Sequence, residues 1–149
     1  FAEQPAVRHL PTTLGLNDSV KLAAREAQAG GADELLIVHS DLPLLTAAQI
    51  DRLIQAGRAQ SHANRSALVS CQHRDGTNML WLSPARAIDF QYGSGSRARH
   101  LALLEKIQYD CVELPPIADV DQVADLEVVR ALLPAGSATA RMLRLASVH

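Results

Sequence analysis

The sequence is short of aromatic residues: Phe, Trp and Tyr together make up 3% of its 149 residues. So few rings exclude a stacking platform for single-stranded nucleic acid. There is no excess of positive charge either. Fourteen Lys and Arg stand against sixteen Asp and Glu, a net charge of −2, which argues against a protein held to nucleic acid by phosphate contacts. No apolar run approaches the roughly 20 residues of a membrane span, and no secretory signal pattern is visible. The expectation is a cytoplasmic protein with neither a membrane nor a nucleic-acid partner. Cysteine is scarce. Cys71 and Cys111 have no CxxC or Cys/His spacing and read as reduced core residues. The six histidines are scattered and form no HExxH pair, which argues against zinc. Ser40 lacks a Gly-x-Ser-x-Gly elbow and Cys71 lacks a neighbouring base, so no nucleophilic triad suggests itself.

Apolar residues are plentiful, at 48%. A chain of this length suits one domain and can bury about 70% of its unfolded surface. The stretch that organises it is Leu35-Leu36-Ile37-Val38-His39-Ser40-Asp41-Leu42-Pro43-Leu44-Leu45. Its aliphatic start lacks alternation, as in a strand buried on both faces of a parallel sheet. Thr46 with Gln49 is a capping-box pattern that opens a helix from Ala47 to about Ala59, with Ile50, Leu53 and Ile54 inward. Before this stretch, Ala6–Leu10 reads as a short strand. A helix capped by Asn17 or Asp18 then runs to about Ala29 and stops at Gly30-Gly31.

After it, Ala67–Cys71 and Met79–Leu82 read as strands separated by a turn. Ser83-Pro84 looks like the start of a brief helix. A helix spans Arg97 to Ile107, and Cys111–Leu114 is a further strand. Pro115 to Ala118 reads as irregular. A helix ending near Leu133 places Val123, Leu126, Val129 and Leu133 on one face. Strands alternating with helices predict an α/β fold, a three-layer sandwich with a mainly parallel sheet. The domain is expected over residues 1–133, with 134–149 as a C-terminal tail.

Three constellations could carry chemistry. Asp41 follows one strand, and Asp119 and Asp121 follow a later one. In a parallel sheet both strand ends lie on one edge, where ligands bind, and the carboxylates could share a Mg²⁺ ion with substrate phosphates. The competing readings are a turn cap for Asp41, a loop acid for Asp119 and a helix N-cap for Asp121. Asp125 reads as a first-turn acid complementing the helix dipole. Gly93-Ser94-Gly95-Ser96 precedes a helix, so its N–H groups suit a phosphate or carboxylate, with Arg97, Arg99 and His100 bringing positive charge nearby. It could equally be an ordinary capped loop. Gly76-Thr77-Asn78 offers a hydroxyl and an amide to an anion, or is only a hairpin turn.

Taken in order, Gly15-Leu16-Asn17, Ser40-Asp41-Leu42-Pro43-Leu44-Leu45, Gly76-Thr77-Asn78, Tyr92-Gly93-Ser94-Gly95-Ser96 with His100, and Asp119-Val120-Asp121 with Asp125-Leu126 resemble the CofC family. These are the 2-phospho-L-lactate guanylyltransferases of coenzyme F-420 biosynthesis, and the likeness covers about residues 6 to 130. The resemblance implies a GT-A-like, Rossmann-like nucleotidyltransferase fold. It implies transfer of GMP from GTP to 2-phospho-L-lactate, phosphoenolpyruvate or 3-phosphoglycerate, with release of pyrophosphate. Carried over, Asp41, Asp119 and Asp121 would be catalytic and would bind Mg²⁺. Thr77, Asn78, Gly93 and Ser96 would lie at the acceptor, and Asn17 near the nucleotide. The chain begins at Phe1 without the family's first strand, its nucleotide loop and lysine, so the expectation is an N-terminally incomplete domain. A lost central strand would leave an unpaired edge that invites association, as a homodimer or as aggregation. The alternatives are a nucleotidyltransferase acting on a sugar phosphate or molybdopterin, and a catalytically inactive α/β binding domain.

Overall fold

The structure, a computed structural model, describes residues 9–134 and 136–146. The expected strand over Ala6–Leu10 falls largely outside the described residues, and His9 and Leu10 carry no regular structure. Helix α1 spans Leu16–Ala29. Gly15 occupies its N-cap, which puts Asn17 and Asp18 inside the first turn instead of at the cap. Gly30 ends it, and Gly31 follows at φ +85°, a left-handed conformation that glycine adopts without a Cβ clash.

Strand β1 is Leu35–Val38 and helix α2 is Ala47–Arg58. The expected capping box opens α2: Thr46 Oγ1 accepts from Gln49 N–H at 3.3 Å, and Gln49 Oε1 accepts from Thr46 N–H at 2.8 Å. Leu53 is fully buried, and Ile50 and Ile54 pack beside it. Gly57 lies so close to Trp81 that a Cβ there would overlap the indole ring. Strands β2 (Arg65–Cys71) and β3 (Thr77–Ser83) follow. No helix forms after Ser83-Pro84, a correction to the expected brief helix. Ala85 N–H is instead bonded to the Asp33 carbonyl at 2.8 Å, and Ile88, Phe90 and Tyr92 enter the core. Helix α3 is Ser96–Lys106, strand β4 is Asp110–Ile117, helix α4 is Val123–Leu132 and helix α5 is Ala138–Ala146. On α4, Val129 is buried but Val123 is exposed, against the expected shared face.

The sheet is mixed, not mainly parallel. Its order is β1-β3-β2-β4, with β1–β3 and β2–β3 antiparallel and β2–β4 parallel. The five-residue turn from Gln72 to Gly76 dictates this, because a connection so short can join only antiparallel neighbours. The three-layer arrangement holds. Leu68, Leu80 and Leu82 face Ala24 of α1 and Leu104 of α3. Ala67, Val69, Met79 and Trp81 face Leu53 of α2. The two sets alternate along each strand, as side chains must in a pleated sheet.

β1, β2 and β4 run in one direction and β3 in the other. The carboxyl ends of β1 and β4 therefore share an edge with the start of β3. At that edge the ladders are irregular: the register slips between Val69 and Ser70 against β3, and between Val69 and Cys71 against β4. Asn78 is the extra residue on β3. Pro115 and Pro116 sit at the slip on β4, an edge strand where a missing N–H is tolerated. Such bulges re-aim side chains beside functional sites.

Candidate active site

A cavity of about 580 Å³ opens at this sheet edge, lined by Asp41, Thr77, Asn78, Gly93, Ser96, Asp119 and Asp121 among others. Seven of the eight sequence-predicted residues thus meet in one place. The eighth, Asn17, is absent from the lining. Its side chain brackets Tyr92 instead: Oδ1 accepts from Tyr92 N–H at 2.7 Å and Nδ2 donates to the Tyr92 carbonyl at 3.3 Å. Asn17 thereby holds the residue in front of the Gly93–Ser96 loop.

One wall is acidic. The loops after β1 and β4 are tied together by a hydrogen bond from Val120 N–H to the Asp41 carbonyl, 3.1 Å. Asp41 Oδ1 is buried without a partner among the described residues, so the turn-cap reading has no bond to rest on at that oxygen. Gln122, not Asp121, is the N-cap of α4. Asp125 accepts from the N–H groups of Asp121 at 3.1 Å and Gln122 at 2.8 Å, and so fixes this loop at the helix start. Burial raises the Asp119 carboxyl above its ordinary range, and the charges of Asp121 and Asp41 push it further. No three His, Cys, Asp or Glu side chains among the described residues group closely enough to cage an ion unaided. A cation that takes one or two carboxylates and completes its shell with phosphate oxygens and water needs no such cage. The unpartnered Asp41 oxygen and the mutually repelling carboxylates fit a cation of that kind.

The other wall carries hydroxyls. Thr77 N–H donates to Ser96 Oγ at 2.9 Å, and both residues are almost fully buried. Asn78 is a brace as well as a lining residue: its Nδ2 donates to the Ile117 carbonyl at 3.0 Å, and its carbonyl accepts from His39 N–H at 3.0 Å. It thus joins β3 to β4 and to the end of β1.

The helix start is less open to an anion than the glycine pattern implies. Gly95 N–H donates to Asp75 Oδ2 at 2.8 Å, Arg97 N–H to the Asp75 carbonyl at 2.9 Å, and Ser96 N–H to the Gly93 carbonyl at 3.0 Å. The N–H groups of Gly93 and Ser94 have no protein acceptor among the described residues. Sequence reasoning missed Asp75. Its Asp-Gly turn is visible, but its partner at position 95 is twenty residues away.

The expected positive charge is delivered only by Arg99, whose guanidinium lies against Gly93 and Gly95. Arg97 forms a two-pronged pair with Glu113, both contacts at 2.6 Å, and Arg99 donates to the Gln91 carbonyl at 3.0 Å. Burial lowers His100 to about 4, helped by the nearby Arg99, so it is neutral at pH 7. Among the described residues neither Lys nor Arg lines the cavity. An anionic ligand entering here meets Asp41, Asp119 and Asp121 on one side and, on the other, hydroxyl and N–H donors beside Asp75, whose Oδ2 is bonded to Gly95 N–H.

The architecture defines the class. It is the α/β fold seen in a protein from Desulfovibrio desulfuricans G20 provisionally designated a nucleotide-diphospho-sugar transferase, with a TM-score of 0.74 and 18% identity over 92% of this chain and 62% of that one. Within that class the sequence narrows the choice. Residues 6–129 match the family described as "Guanylyl transferase CofC like", and the chain belongs to the CofC family. It is 37% identical over 141 residues to a phosphoenolpyruvate guanylyltransferase of Sphaerobacter thermophilus. It is 34% identical over 126 residues to another from Conexibacter woesei. It is 30% identical over 127 residues to a 3-phospho-D-glycerate guanylyltransferase of Colwellia psychrerythraea. These alignments cover 93%, 83% and 83% of this chain but 66%, 56% and 58% of the relatives. No helix among the described residues is long and apolar enough to cross a membrane.

Proposed function

We propose that this chain carries the acceptor side and metal site of a guanylyltransferase that moves GMP from GTP to a small phosphorylated acid. The acceptors are 2-phospho-L-lactate, phosphoenolpyruvate or 3-phosphoglycerate, and pyrophosphate leaves. The product would enter coenzyme F-420 biosynthesis. One observation supports this above the rest: Asp41, Asp119 and Asp121 face a wall of hydroxyl and N–H donors, where the one further carboxylate, Asp75, is taken up by Gly95 N–H, across a cavity lined by neither Lys nor Arg among the described residues. That division suits a substrate that is itself polyanionic and arrives with a divalent cation.

An oxygen of the acceptor's phosphate attacks the α-phosphorus of GTP. A new P–O–P bond forms and the bond to the β-phosphate breaks. The attacking phosphate is already ionised at neutral pH, so no general base is required, and none of the cavity's histidines is assigned that work. Asp41, Asp119 and Asp121 are the residues that would hold Mg²⁺, which supplies charge neutralisation of the triphosphate and of the departing pyrophosphate. Thr77, Ser96 and the N–H of Gly93 would grip the acceptor's phosphate or carboxylate. Asn78 and Asn17 would hold the surrounding loops in place. Positioning and electrostatics then carry the rate. Residues 1–133 form the working unit in this reading, with 134–149 as a tail.

Pyrophosphate release measures the proposal. The chain is incubated with Mg²⁺, each of the four nucleoside triphosphates, and a panel of phospho-acids, sugar 1-phosphates and molybdopterin. Release from GTP with one of the three acids is expected. Release only with a sugar phosphate or molybdopterin would move the protein to another branch of the nucleotidyltransferases. No release from a folded chain with any pair would make it a binding domain.

A further inference from the structure

The proposed mechanism gives no task to the most deeply buried ionisable group beside the cavity. His100 lies on α3 with none of its surface exposed. Its Nε2 accepts a hydrogen bond from Gln91 N–H at 2.9 Å. A nitrogen that receives an N–H cannot also carry a proton, so the proton of the neutral ring sits on Nδ1. Nδ1 is 2.9 Å from Thr77 Oγ1. The ring must therefore donate to Thr77, and Thr77 must accept. A hydroxyl whose oxygen already accepts keeps its own proton for something else. No protein acceptor for it is present among the described residues. Ser96 is set the same way by a different donor: its oxygen accepts from Thr77 N–H, and its own proton also has no protein acceptor. Two adjacent hydroxyls of residues that line the cavity thus both keep a proton to donate.

We propose that His100 is a positioning residue that fixes the polarity of the Thr77 hydroxyl, so that this wall accepts only a ligand group rich in lone pairs and free of protons, an ionised phosphate or carboxylate. The inference rests on the acceptor reading above and adds to it the residue that sets its selectivity. A freely rotating hydroxyl could serve either a donor or an acceptor. One held by an imidazole N–H serves only an acceptor. His100 touches no ligand itself. Tyr92, whose ring meets the His100 ring edge-on at 4.7 Å between centroids, closes the site around it.

Two measurements on the 149-residue chain test this. The first is ¹⁵N NMR of the histidine rings in the ligand-free protein at pH 7. It should show His100 protonated at Nδ1 and bare at Nε2. The second is calorimetric titration with each of phosphoenolpyruvate, 2-phospho-L-lactate and 3-phosphoglycerate in the presence of Mg²⁺, the variants being read with the acid that binds. His100→Gln keeps an acceptor for Gln91 N–H but removes the donor beside Thr77, and should weaken binding by about 10- to 100-fold. His100→Asn restores an N–H at the Nδ1 position and should bind within about threefold of the unmodified chain. A proton on Nε2, or equal binding by the Gln and Asn variants, overturns the positioning role and leaves the acceptor reading standing. Failure of the unmodified chain to bind any of the three phospho-acids overturns the acceptor reading, and this role with it, whatever the tautomer.

Discussion

The two walls of the cavity are built on opposite principles. The acidic wall stands on loops and keeps like charges close together, with a buried Asp41 oxygen that no group among the described residues satisfies. The hydroxyl wall stands at the start of β3 and of α3, and its Ser96 and Thr77 oxygens are locked by Thr77 N–H and His100 Nδ1–H. The first is strained until something positive arrives. The second is satisfied in advance and merely presents donors. A site divided in this way can lose function without losing stability on one side, and must lose both on the other.

The sharpest break should come from Asp41→Asn. It should lower Mg²⁺-dependent pyrophosphate release by at least about 100-fold while the melting temperature holds. A variant that melts early would place Asp41 in the scaffold instead. Thr77→Val comes next. It leaves the His100 Nδ1–H buried without an acceptor, so stability should fall by about 1–3 kcal/mol together with a roughly tenfold or greater loss of acceptor affinity. Denaturant unfolding and titration calorimetry read the two losses separately. Gly57→Ala, remote from both walls, should cost about 2 kcal/mol by overpacking against Trp81 and leave acceptor affinity unchanged.

The pH dependence separates the walls again. The folded protein holds His100 at about 4, below its ordinary 6.5. Between those values the unfolded chain binds more protons than the native one, so stability falls as pH drops from 6.5 toward 4. Arg99 and His39 face the ring and add to the effect, and Tyr92 stays neutral across that range. His100→Asn should flatten this acid limb in denaturant titrations. Asp119 has the opposite sign. Its raised carboxyl makes the native state hold the extra proton, so its contribution is lost as pH climbs above the ordinary aspartate value of 3.8. Asp119→Asn should therefore leave the metal-free protein at neutral pH as stable as before or slightly more so, the smallest effect of the set, visible as an unchanged or higher melting temperature.

Features legible in the sequence are those whose cause is local. Thr46 and Gln49 are three residues apart and make the capping box the pattern predicts. Gly30-Gly31 stops α1, and the glycine–serine run opens α3. The sheet direction was not legible in the same way. β2 and β3 are almost wholly buried because helices cover both faces. Their side chains therefore read as unbroken apolar runs, whichever way the neighbours point. The meeting of Asp41, Asp119 and Asp121 survives that error because β3 alone runs against the other three strands. Charge was misread in part for a related reason. Arg97, Arg99 and His100 lie near the glycine loop in sequence, but Glu113 pairs Arg97 and burial keeps His100 neutral, so only Arg99 keeps its charge beside the loop. Partners so distant in the chain leave no local trace, and the same holds for Asp75 and Gly95.

The division of labour between the walls has one direct test: titration of phosphoenolpyruvate into the chain with Mg²⁺ and again with the metal chelated. If the carboxylates hold a cation that the acceptor's phosphate shares, affinity should fall by about tenfold or more on chelation, and Asp41→Asn should abolish the difference between the two conditions. Equal affinity with and without the metal would contradict that assignment and leave the hydroxyl wall to bind the acceptor alone.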